Sequence, residues 1–179
     1  MVSKKLVPLN FWLVLVQFFN TINADFTLYA YGTNISGLPV FYMNSLAYIG
    51  YQIPSDLGGT NITFTMNDTS LYPQKNTTAG GSGTITGNPK LYIDTSTDAI
   101  AQPGFTTNDT DTTAATTTGF RFLGTDIYWK ASDGTLLANF WATETDMDGV
   151  WSLVWNEPDD TLDNSTPVVI QNMAPAARI

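Results

Sequence analysis

From residue 25 onward, apolar and polar positions alternate in short runs. The segment "NITFTM" is representative: Asn61, Thr63 and Thr65 share one side, Ile62, Phe64 and Met66 the other. That is the two-residue period of an extended strand. Similar runs recur as "FTLYAY", "LPVFYM", "LAYIGYQ", "GTITG", "KLYID", "QPGFTT", "GFRFLG", "DIYWKA", "TLLANFWA", "VWSLVWN" and "TPVVIQN", spaced by Gly, Asn, Asp and Pro. No stretch holds apolar residues at i, i+3, i+4 and i+7 over three helical turns. The pattern predicts an all-β domain, an antiparallel β-sandwich or jelly roll of about ten strands.

Two hairpins can be placed. Between "LPVFYM" and "LAYIGYQ" the pair Asn44-Ser45 predicts a two-residue turn, since Asn tolerates positive φ. In "IYWKASDGTLLANFW", a turn at Asp133-Gly134 would oppose Ala131 to Leu136, Trp129 to Ala138 and Ile127 to Phe140. Taking residues 143–149 as the next loop sets Trp141 beside Trp151 and Leu137 beside Trp155. This register gathers Tyr128, Trp141, Trp151 and Trp155 into an aromatic sheet face on which sugar rings could stack. Cover by another layer is the competing fate of such a face. A slip of one residue would exchange the faces of the last strand.

Residues 1–24 stand apart. A basic start, "MVSKK", precedes the apolar "LVPLNFWLVLVQFF" and then "TINA", which ends on the small Ala24. This is the layout of a cleaved secretory signal peptide, too interrupted by Pro8, Asn10 and Gln17 for a spanning helix. A single domain over 25–179 remains, with a threonine-dominated stretch at 106–118 expected to be a long exposed loop that invites O-glycosylation. The close "APAARI" carries no hydrophobic tail of the kind that directs a C-terminal lipid anchor.

Charge and composition narrow the function. Without the first 24 residues the chain has 5 basic and 16 acidic residues, a formal charge of −11. Nucleic acid and anionic membranes are thereby disfavoured as partners, because both demand Lys and Arg. Cysteine and histidine are both absent. Serine–histidine triads, cysteine–histidine pairs and zinc sites with the usual ligands are excluded. No cofactor is indicated.

Six sequons, at Asn34, Asn61, Asn67, Asn76, Asn108 and Asn164, fall in turn-like stretches or on solvent faces. Behind a signal peptide they predict an N-glycosylated secreted protein. Glu144, Asp146 and Asp148, followed by Gly149, resemble the opening of a calcium loop. The twelfth position of an EF-hand is here Trp155, however, so a weak calcium site is the most these acids suggest, and a solvated turn is favoured. A glycosidase needs two carboxyl groups about 5–10 Å apart. Glu144 and Glu157 bracket "VWSLVWN", which as a strand holds them roughly 23 Å apart.

The stretches "FTLYAYGTNISGLPVFYMNSLAYIG", "TGFRFLGTDIYW", "WATETDMDGVWSLVW" and "TPVVIQNMAPA" resemble a family of small secreted or cell-wall-associated proteins of filamentous ascomycete fungi. The likeness covers most of the chain after residue 24, and its motifs are structural, without catalytic content. Where relatives often carry an Asp-Gly turn, this chain has Asn44-Ser45. The resemblance implies a fungal extracellular protein and assigns no active-site residue. The combined expectation is a secreted, non-enzymatic β protein that binds cell-wall polysaccharide or surface glycans through its aromatic face. A secreted effector-like protein-interaction module is the alternative, and a carboxylate-dependent hydrolase a third.

Overall fold

A computed structural model describes residues 24–108 and 114–176, so the signal-peptide segment up to residue 23 lies outside the described residues. The chain is all-β, as the alternation predicts, and its one helical element among the described residues is a 3-10 turn at Ser55–Leu57. The strands are β1 Tyr29–Gly32, β2 Ile35–Met43, β3 Leu46–Gly50, β4 Thr60–Asn67, β5 Ser70–Lys75, β6 Lys90–Asp94, β7 Ile100–Ala101 and β8 Gly104–Thr106. They continue with β9 Ala115–Thr116, β10 Phe120–Leu123, β11 Asp126–Lys130, β12 Leu136–Leu137, β13 Phe140–Glu144, β14 Val150–Asn156 and β15 Ser165–Gln171. The count exceeds ten because the alternation does not reveal β5, which Pro73 interrupts, or the two-residue β7 and β9, and because "TLLANFWA" divides into β12 and β13. The run "GTITG" at 83–87, expected as a strand, forms none.

All fifteen strands belong to one hydrogen-bonded network. Within it, β1, β2, β3, β14, β13 and β15 pair in that order, and β15 pairs back with β1, so six strands close a ring. The β4–β5 hairpin joins through β2, and β10, β11 and β12 join through β15. Inside lies a continuous core that includes Ala30, Val40, Ile49, Phe64, Ile127, Phe140, Leu153, Trp155 and Ile170. A smaller apolar cluster of Phe41, Met43 and Val150 forms on the opposite face of β2 and β14, with Tyr48, Ile53 and Met147 packed on it. β2 is consequently buried on both sides, which explains its nearly unbroken apolar run.

Local chemistry fixes the registers. Asn44 and Ser45 have φ of 52° and 64°, and the flanking pairs Met43–Leu46 and Tyr42–Ala47 follow from this tight turn. Between β1 and β2, Gly37 is the extra residue of a bulge and sits at φ 72°, where a side chain would be strained. β4 alternates as read from sequence, with Thr60, Ile62 and Phe64 buried and Asn61, Thr63 and Thr65 facing outward.

Three expectations are corrected. The turn after β11 is a three-residue loop, Ser132-Asp133-Gly134, closed by Ala131 N–H donating to Thr135 O at 2.9 Å, with Gly134 at φ 93°. Trp129 therefore opposes Leu137, not Ala138. Beyond Leu137 the chain leaves β11, and β13 pairs with β14 and β15 instead. Finally, the threonine-rich stretch is not all exposed: Ala115–Thr116 pairs with β6, and Thr116 and Thr117 are buried.

Candidate functional site

The register of β13 on β14 decides the fate of the aromatic residues. Phe140 opposes Trp155, Trp141 opposes Val154, and Glu144 opposes Trp151. This is three residues away from the expected register, and an odd shift sends side chains to opposite faces. Trp151 and Trp155 thus lie on the inner face, and Trp141 on the outer. Trp155 is fully buried between Phe140 and Trp129, both edge-on to it. Trp141 is buried too, its indole N–H donating to Asp159 Oδ1 at 3.3 Å. Tyr128 sits on β11, opposite Arg121 and away from these strands. No shared aromatic face exists: the four predicted residues are dispersed, and Trp151 alone lines an open pocket.

That pocket lies at one end of the six-strand ring. The end of β13, the starts of β2, β14 and β15, and the β1–β2 turn converge there. They enclose about 280 Å³ lined by Trp151, Glu144, Asn34, Asn164, Ser165 and Thr166, together with Thr33, Ile35 and Ala142. Ile35 and Ala142 belong to the core and form the floor. Trp151 packs against that core, is partly exposed, and lines the pocket. Around it stand a carboxylate, two amides and several hydroxyls. Ser165 Oγ is held 2.8 Å from Thr143 Oγ1, and Asn164 O accepts the Glu144 N–H at 3.1 Å, so the wall is firmly set.

This combination of an apolar ring with polar groups at its edge suits a small polar ligand with C–H faces. Glu144 is the one acid among the described lining residues. Glu157, the second glutamate, lies beyond the far end of β14 and accepts the Asp98 N–H at 3.2 Å. The arrangement supplies no carboxylate pair for glycosidic hydrolysis.

The acidic loop between β13 and β14 is a structured turn. Thr145 Oγ1 donates to Val150 O at 2.6 Å and accepts the Met147 N–H at 3.2 Å, which seats Met147 on the outer apolar cluster. Asp146 and Asp148 point to solvent while Glu144 turns toward the ring opening. Among the described residues no group of three or more acids is close enough to hold a metal.

The six sequon asparagines separate by environment. Asn34, Asn67, Asn108 and Asn164 are exposed. Asn61 is half-buried, its Nδ2 donating to Ala79 O at 2.7 Å. Asn76 Oδ1 accepts the N–H groups of Thr78 and Ala79 at 3.0 and 3.1 Å. Sequence reasoning did not group Asn34, Asn164, Ser165 and Thr166 with Trp151. They lie far apart in the chain, and only ring closure brings their strand ends together.

The chain matches no protein-family model, and no curated protein or solved structure is similar to it.

Proposed function

We propose that this is a secreted, N-glycosylated, non-enzymatic protein of the fungal exterior or cell wall, and that it binds saccharide at the open end of the ring. In this reading the ring is a flattened β-sandwich whose mouth, not its face, is the binding surface. The observation that carries the proposal is Trp151. It is a partly exposed tryptophan lining a pocket rimmed by one carboxylate, two amides and hydroxyl groups. Sugar C–H faces pack on such a ring, while polar neighbours fix hydroxyl orientation. The family resemblance and the signal-like first 24 residues support the extracellular setting.

The test uses unglycosylated protein from a bacterial host, titrated with chitin and β-glucan oligosaccharides by calorimetry and pulled down on the insoluble polymers. Wild type should bind one of these polymers, and Trp151→Ala should lose binding while keeping its circular dichroism spectrum. Glu144→Gln should weaken binding without abolishing it. Absence of wild-type binding to any of these glycans would overturn the assignment.

A further inference from the structure

Two of the six sequons, Asn34 and Asn164, line the same pocket as Trp151. They reach it from different sides. Asn34 stands in the β1–β2 turn, and β1 lies across the six-strand ring from β14, the strand of Trp151. Asn164 immediately precedes β15. Its carbonyl accepts the Glu144 amide, and Glu144 in turn opposes Trp151, so Asn164, Glu144 and Trp151 lie abreast on three neighbouring chain segments. Two inter-strand spacings separate the backbones of Asn164 and Trp151, roughly 10 Å. An asparagine side chain and one attached pyranose ring span that gap.

From this arrangement we infer that the pocket is occupied by the protein's own carbohydrate: the first N-acetylglucosamine of a glycan on Asn164 rests on the Trp151 indole and closes the site to free saccharide. The inference rests on the reading of the pocket as a saccharide site, and adds its regulation. The linkage is an ordinary N-glycosidic bond between Asn164 Nδ2 and the sugar C1, transferred from a lipid-linked donor that leaves as its diphosphate. Tethering explains why weak stacking suffices. A ring held on a short flexible link experiences an effective concentration in the millimolar range, so free sugar must exceed that to displace it. Asn34 is the less suited anchor, since it also borders a separate recess lined by Tyr31, Tyr51 and Pro175. Occupancy of Asn164 then determines whether the molecule is an open binder or a self-capped one.

Glycine accepts the left-handed conformation that Asn164 adopts at φ 52°, so Asn164→Gly removes the acceptor while preserving the turn. The experiment compares protein secreted from a glycosylating eukaryotic host with Asn164→Gly and Asn34→Gly made in the same host. Site occupancy is read by peptide mass spectrometry. Accessibility of Trp151 is read by acrylamide quenching, taken as the difference from matched Trp151→Phe proteins. The expected result is a glycan on Asn164 and a several-fold lower quenching constant for Trp151 in the wild type and Asn34→Gly than in Asn164→Gly. An unmodified Asn164, or a glycan there with quenching equal to that of Asn164→Gly, would overturn the inference. Because quenching needs no external ligand, its outcome is separate from that of the titration on unglycosylated protein, which judges the saccharide-site reading alone.

Discussion

Phe140 and Trp155 face each other across β13 and β14 with ring centroids 5.0 Å apart and planes at 76°. Trp129 meets the same indole from another strand at 6.1 Å and 83°. Three rings in edge contact hold the ring of strands around Trp155, whose N–H has no hydrogen-bond acceptor. Edge-to-face pairs add about 0.5–1.5 kcal/mol beyond area burial, against the cost of that unpaired N–H. Packing therefore sets the value of this position, and its polarity counts against it.

Trp155→Ala should destabilise the domain by about 3–5 kcal/mol, as expected for a large aromatic removed from a closed core. Trp155→Phe should cost distinctly less, because it also deletes the orphaned N–H. Urea denaturation followed by fluorescence and circular dichroism measures both. Equal losses for the two variants would contradict the packing account.

Ser45→Gly should stabilise the β2–β3 hairpin by about 1 kcal/mol, since Ser45 holds a left-handed conformation that glycine adopts freely. The Tyr42–Ser45 hydroxyl contact at 3.1 Å is exposed, so its loss subtracts little. A rise of a few degrees in the melting temperature is the expected readout.

The loop between β13 and β14 should depend on Thr145 and not on calcium. Thr145→Val removes the hydroxyl that bonds Val150 O and should cost about 1 kcal/mol. Melting curves in calcium and in chelator should superimpose. A shift of several degrees with calcium would return Asp146 and Asp148 to consideration as ligands.

Asp133 should titrate below the ordinary aspartate range. Its Oδ1 accepts the Thr135 backbone N–H at 2.9 Å, and that bond favours the ionised form. The sign follows by linkage: the contribution is present above the unfolded value and is lost as pH falls through the lower folded value, in the region below about pH 4. Carboxyl carbon shifts followed by NMR would locate the midpoint, and Asp133→Asn should flatten this part of the stability profile.

What the sequence discloses is strand character and any turn whose geometry is fixed by its own residues. Asn44-Ser45 and the alternation of Asn61 to Met66 are legible for that reason. What it conceals is how strands are dealt among partners. Ala138 and Asn139 look like a continuation of "TLLANFWA", yet the chain there abandons β11 for β14 and β15. The loop before β14 is shorter than expected because β13 runs on to Glu144, and this shift separates Trp141 from Trp151. Thr117 is buried by contacts that no local pattern encodes. The pocket inherits the same opacity, since its walls come from residues 33–35, from Ala142, Glu144 and Trp151, and from residues 164–166.

The seam of the ring joins β1 to β15, so that Tyr29 is aligned with Gln171. A ribosome must therefore finish nearly the whole domain before the barrel can seal, and until then β1 and β13 each lack one of their two strand neighbours. Such long-separation pairing slows folding and lengthens exposure to aggregation. Shortening the chain from its C-terminal side into β15 should trap an unsealed species that recruits chaperones, even though every lining residue upstream of the cut is still present.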